Sequence, residues 1–207
     1  MSGVAAILLA AGSARRFAGG GKLLAEIDGV PILARAARAI AGSRCSSLIV
    51  VTGPSQERVK GVLAAIAGLT PRFVHNPDHE TGIGSSIAAG VHATPADSRA
   101  IVVVQGDMPG LTSALIDALI DRLDEAERAG VDLPIVHPVL ADGRQRSPVL
   151  WPARFRAELE ALSGDHGAKG LIAAHRSETA PVRIDDAALL ADIDTVEELE
   201  AYRARRL

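Results

Sequence analysis

The chain has 207 residues, 48% hydrophobic and 23% charged, with a formal net charge of −3. That balance fits one globular domain with a buried core and excludes long-range attraction to nucleic acid or an anionic membrane, so any anion site must be local. Aromatic residues make up only 2%, too few for a base-stacking surface, and with Cys45 the sole cysteine neither an intrachain disulfide nor a cysteine-built zinc site can form.

Met1–Leu9 lacks a basic start and a long apolar run, and no stretch is long enough to span a bilayer, so a cytoplasmic protein is expected. The runs Val4–Leu9, Leu48–Val51 and Ala100–Val104 are continuous rather than alternating, as in strands buried on both faces of a parallel sheet. Between them, Pro31–Ala41, Ser55–Ala67 and Ile83–Val91 space apolar residues three and four apart, with Pro31 and Ser55 suited to helix starts. This βαβα order predicts a three-layer α/β fold with a mostly parallel central sheet. A helix over Ser113–Ala129 follows, its apolar face formed by Leu115, Leu119, Ile120 and Leu123. The rest is less regular, with strands predicted at Leu133–His137, Val149–Trp151 and Val182–Ile184 and helices near Pro152–Leu162 and Ala168–His175. A last helix starts after Asp194 or Thr195, where Thr195 and Glu198 have capping-box spacing.

Residues 10 to 22 leave the carboxyl end of the first predicted strand, where parallel sheets collect ligands. Gly12, Gly19, Gly20 and Gly21 can bring backbone N–H groups close to an anion, and Arg15, Arg16 and Lys22 add three cations. Together they suit a polyphosphate; a solvated surface loop is the alternative. Walker A chemistry is disfavoured, because position 16 is Arg where that motif needs Gly and position 23 is Leu where it needs Ser or Thr. Gly82–Gly84 lacks the third glycine of a dinucleotide fingerprint.

Asp107, in Gly106-Asp107-Met108-Pro109, follows the strand Ala100–Val104 and suits Mg²⁺ held between a carboxylate and substrate phosphate; a helix-capping turn is the alternative. Asp192 and Asp194 precede the last helix, where capping would explain an Asp equally well. Thr81–Ser86 is a small-residue loop entering a helix, able to read a flat base or simply to cap the helix through Ser. His75 and His79 are four apart, but Asn76-Pro77 interrupts a metal-binding helix, and the histidines read as packing or surface residues. Asp185, Asp186 and Glu197–Glu200 read as a solvated face.

Leu9-Ala10-Ala11-Gly12, with Ser13, Arg15, Arg16 and Lys22-Leu23-Leu24, resembles the signature of the MobA-like nucleotidyltransferases. Within that family the LAAG form resembles the molybdenum cofactor cytidylyltransferases (MocA-like), whereas guanylyltransferases more often carry LAGG. The likeness continues in order through Asn76-Pro77-Asp78, Gly82-Ile83-Gly84-Ser85-Ser86, Gly106–Pro109, Gly164–Lys169 and Asp192–Thr195. It implies a Rossmann-like nucleotidyltransferase fold over residues 1–207, with a nucleotide-binding half at 1–110 and an acceptor-binding half at 111–207.

The implied reaction is Mg²⁺-dependent transfer from CTP to the phosphate of molybdopterin, giving molybdopterin cytosine dinucleotide and pyrophosphate. An acceptor phosphate is already an anionic nucleophile, so alignment and charge neutralisation replace a dedicated base. The resemblance implies nucleotide contacts from Ala10, Ala11, Gly12, Ser13, Lys22, Asn76, Gly82, Ser85 and Ser86, and catalytic roles for Lys22, Asp107, Arg15 and Arg16. It further implies metal binding by Asp107 and Asp194, acceptor contacts from Arg146, Ser147 and Lys169, and transient contact with a recipient molybdoenzyme or its chaperone. Two departures stand out. Arg144–Pro148 occupies the place of a usual Gly-His-Pro or Gly-Asn-Pro, and Phe17-Ala18 that of a usual Met-Gly. The alternatives are a related transferase using GTP or another phosphate acceptor, and a noncatalytic carrier of a nucleotide-bearing cofactor.

Overall fold

The computed structural model describes residues 3–12, 17, 21–165 and 167–205. In chain order it contains β1 (Val4–Ala10), β2 (Glu26–Ile27), β3 (Val30–Pro31), α1 (Ile32–Ala41), β4 (Cys45–Thr52), α2 (Gln56–Ala64), β5 (Arg72–His75) and α3 (Ile83–Ala93). There follow β6 (Ala100–Gln105), α4 (Ser113–Arg128), β7 (Ile135–Val139), β8 (Val149–Pro152), α5 (Arg156–Glu160), α6 (Lys169–Ala174), β9 (Thr179–Arg183) and α7 (Val196–Ala204). Seven strands form one sheet in the order β5-β4-β1-β6-β8-β7-β9, with β8 antiparallel to β6 and β7 and the other described pairings parallel. The chain runs outward from β1 to β4 and β5, then places β6 on the other side of β1. That reversal opens the crevice in which such sheets hold ligands.

The apolar runs are continuous because both sheet faces are covered. Ala6 and Leu8 of β1 pack in one layer with Leu33, Val59, Leu63, Ile116 and Leu119 from α1, α2 and α4. Ala5, Ile7 and Leu9 pack in the other with Ile87, Val91, Leu159 and Ile172 from α3, α5 and α6. A third, smaller cluster joins Ile27, Ile32, Ile193, Leu199 and Tyr202, with Phe17 against it. Among the described residues no helix is long and apolar enough to cross a membrane.

Several elements depart from the sequence expectation. The β2–β3 hairpin turns at Asp28-Gly29, whose φ values of 53° and 71° are those of a tight hairpin turn. Edge strand β5 is short and only half buried, which removed its apolar signal. Predicted strand Val182–Ile184 is instead Thr179–Arg183, because pairing with β7 sets its limits and an edge position tolerates Pro181. β7 ends at Val139 rather than His137, for the same pairing reason. The expected helix from Pro152 is interrupted: Pro152 closes β8, Ala153–Phe155 is a 3₁₀ turn, and α5 spans only Arg156–Glu160.

Candidate active site

The site lies at the carboxyl ends of β1, β4 and β6. Gly106 donates its N–H to the Leu9 carbonyl at 3.0 Å, and a Cβ at Gly106 would stand only 2.8 Å from that oxygen. This close approach brings Asp107 beside the loop that leaves β1. The capping alternative for Asp107 fails, since α4 is capped by Thr112, whose hydroxyl accepts from the Leu115 N–H.

Lys22 opens a 3₁₀ turn and reaches back across the crevice. Its Nζ donates to Asp107 Oδ2 at 2.5 Å and to Asp194 Oδ1 at 2.7 Å. The Asp107 side chain is 14% exposed and that of Asp194 52%. The second Asp107 oxygen, Oδ1, is buried without a hydrogen-bond partner among the described residues. Burial pushes the Asp107 carboxyl above the ordinary carboxylate range; the Lys22 charge opposes this and the Asp192 carboxylate adds to it. Burial alone would lower the Lys22 ammonium, but Asp107 and Asp194 together outweigh it and hold the group above its ordinary value.

Asp194 does not serve as the helix cap. Thr195 does, in the reciprocal box predicted from sequence: its hydroxyl accepts from Glu198 N–H, and Glu198 Oε2 accepts from the N–H groups of Thr195 and Asp194. The Asp194 side chain is thereby left to face Lys22.

Two carboxylates on one cation, one with a buried unpartnered oxygen, fit the modest protein ligand set that Mg²⁺ uses when substrate phosphates complete its shell. Among the described residues no group of three or more His, Cys, Asp or Glu side chains forms an all-protein metal cage.

On the β5 side, Asn76 is buried and hydrogen-bonded inside the protein. It donates to Ser85 Oγ and Ser86 Oγ, both at 3.0 Å, and accepts from the Asp78 N–H at 3.0 Å. Asn76 therefore shapes the loop from within. The Ser85 hydroxyl lies within hydrogen-bond distance of the Asp78 and Gly82 carbonyls, at 3.0 and 2.9 Å, so its one hydrogen is directed to this loop, and it does not cap α3. Gly82 has φ 125°, and a Cβ there would collide with the backbone of Gly164. Gly84 donates to the Gly164 carbonyl at 3.0 Å, joining this loop to the second half of the chain.

Of the other expected site residues, Ala10 and Ala11 are buried and Gly12 is exposed at the mouth of the crevice. Ser13, Arg15 and Arg16 lie outside the described residues. Arg146 and Ser147 are half buried, beside β7 through the Arg146 N–H bond to the Pro138 carbonyl, and Lys169 is exposed at the start of α6.

One residue was missed from sequence. Arg58, in the first turn of α2, lies against Gly21: a Cβ on that glycine would be 3.5 Å from Arg58 Nη2. Its signal was positional, a basic side chain one turn into the helix after the strand neighbouring β1.

A family model described as the MobA-like NTP transferase domain matches residues 6–180, a stretch that includes Lys22, Asn76, Gly82 and Asp107 but not Asp194. Nicotine blue oxidoreductase of Paenarthrobacter nicotinovorans is 29% identical over 206 residues, covering 95% of this chain and 94% of that protein. A 2-C-methyl-D-erythritol 4-phosphate cytidylyltransferase of Streptomyces coelicolor is 32% identical over 201 residues, covering 91% and 73% respectively. The crystal structure of the Mycobacterium tuberculosis rv0371c homologue from Mycobacterium sp. strain JC1 superimposes with a TM-score of 0.80 at 25% identity, over 98% of this chain and 96% of that one.

Proposed function

The chain belongs to the MobA-like NTP transferase family, and from that premise we propose that it is a cytoplasmic, Mg²⁺-dependent cytidylyltransferase acting from CTP onto the phosphate of molybdopterin. The family supplies the nucleotidyltransferase chemistry; the choice of CTP and of this acceptor is our reading. One observation carries it: the ammonium of Lys22 and the carboxylates of Asp107 and Asp194 converge by the carboxyl ends of the adjacent parallel strands β1 and β6. That is charge-handling equipment, suited to group transfer between phosphates. The CTP choice draws support from the LAAG signature and from the cytidylyltransferase relative.

In this reading residues 1–110 hold the nucleotide and 111–207 the acceptor. Backbone groups at Ala10, Ala11, Gly12 and Ser13 cradle the triphosphate, with Arg15, Arg16, Lys22 and Arg58 offsetting its charge. The loop braced by Asn76, from Gly82 to Ser86, receives the base. Arg146, Ser147 and Lys169 orient the acceptor. An acceptor phosphate oxygen bonds to the α-phosphorus as the bond from that phosphorus to the bridging oxygen breaks, and pyrophosphate departs with the electron pair. Asp107 and Asp194 would hold Mg²⁺, which when bound supplies Lewis-acid stabilisation of the phosphate charge. The product would pass to a recipient molybdoenzyme or its chaperone by transient contact.

The test is pyrophosphate release from CTP, GTP, ATP and UTP separately, with Mg²⁺, with and without molybdenum-loaded molybdopterin. Acceptor-dependent release confined to CTP is the expected result. Release confined to GTP would move the chain to the guanylyltransferase branch, and no release from folded protein would overturn the reading.

A further inference from the structure

Asp107 Oδ2 and Asp194 Oδ1 share one ammonium, at 2.5 and 2.7 Å. Two carboxylates brought this close repel each other unless a cation lies between them. The Lys22 Nζ therefore stands where a divalent ion engaging both carboxylates would have to sit. Two cations cannot share that gap without strong repulsion, so occupancy is an exchange rather than an addition. Asp107 Oδ1, buried and unpartnered among the described residues, offers the entering ion a first oxygen before the ammonium leaves.

Resting on the proposed nucleotidyl transfer, we infer that Lys22 is a placeholder for the divalent cation: it keeps the Asp107–Asp194 pair assembled, and metal entry releases it toward the nucleotide phosphates. The backbone favours this economy of movement. The Asp194 turn is pinned by the Thr195–Glu198 box and by the Ile193 N–H bond to the Asp107 carbonyl, so the carboxylates stay in place while one flexible side chain moves. Metal and nucleotide then bind cooperatively, because each favours the released position of Lys22, and the coupling is reciprocal.

The experiment measures Mn²⁺ binding by electron paramagnetic resonance without nucleotide, in wild type, Lys22→Met and Lys22→Arg. Removing the competing charge is expected to tighten Mn²⁺ binding about tenfold in Lys22→Met, while Lys22→Arg stays near wild type. Mn²⁺ binding in folded Lys22→Met no tighter than wild type overturns the inference. A second measurement needs no variant. Acetylation of wild type, mapped by peptide mass, is expected to accelerate at Lys22 on adding Mg²⁺, with Lys60 and Lys169 as internal references. An unchanged Lys22 rate also overturns it. Pyrophosphate release separates the two claims: both metal results as expected, with no turnover of any nucleotide, would overturn the transferase reading and leave the exchange standing.

Discussion

The backbone N–H of Ile193 donates to the carbonyl oxygen of Asp107 at 3.0 Å. This bond ties the turn before the last helix to the end of β6 and sets Asp194 opposite Asp107 across Lys22, although the two aspartates are far apart in sequence.

Asp107→Asn is expected to lower turnover by about 100-fold or more, the usual cost of removing one positioned charge at such a centre. Stability should not fall in parallel, because burial already disfavours the ionised carboxylate. Pyrophosphate release and a thermal melt on the same sample check both halves. A variant with full activity would remove Asp107 from the machinery.

Arg58→Ala should raise KM for CTP about tenfold, the loss of one charged contact to phosphate. The guanidinium lies beside Gly21, the residue before Lys22, and the proposed reading gives it the outer phosphates. Inhibition by CMP, which lacks them, is the control and should be unchanged.

Gly82→Ala should destabilise the fold by about 1–3 kcal/mol, since the left-handed backbone there is costly for any side chain and the new Cβ meets the Gly164 backbone. Denaturant unfolding measures the loss. Gly12→Ala, at a position with open space around it, should be nearly neutral for stability.

His175 supplies a pH test away from the site. Its ring nitrogens meet Glu178 Oε1 at 2.7 Å and Glu158 Oε2 at 2.9 Å, and these bonds raise its pKa above the ordinary 6.5. The folded value exceeds the unfolded one, so the stabilisation is fully present below about pH 6.5 and is lost as pH rises through the folded value. The gap in Tm between wild type and His175→Gln should shrink across that interval. A gap constant from pH 5.5 to 8.5 would contradict the assignment.

The central strands were legible because continuous Val, Ile, Leu and Ala runs have one economical use, burial on both faces of a parallel sheet. The placement of Asp107 was legible from its position at a strand end. The pairing of Lys22 with two carboxylates was not, because it depends on how the last turn folds back onto β6. The bracing role of Asn76 was not legible either: its N–H groups donate to Ser85 and Ser86 and its oxygen accepts from the Asp78 N–H, contacts that only the fold brings together. Arg58 was hidden for the opposite reason: no local pattern marks it, and only the approach of α2 to Gly21 gives it significance.

The small cluster of Ile27, Ile32, Ile193, Leu199 and Tyr202 is separate from both sheet cores. It fastens the last helix to the hairpin that follows the glycine-rich loop, and Arg203 adds a bond to the Glu26 carbonyl. Such a patch can melt while the seven strands hold. Warming should therefore silence the protein before it unfolds, with inactivation preceding the loss of far-ultraviolet circular dichroism, and cooling from that window should restore it.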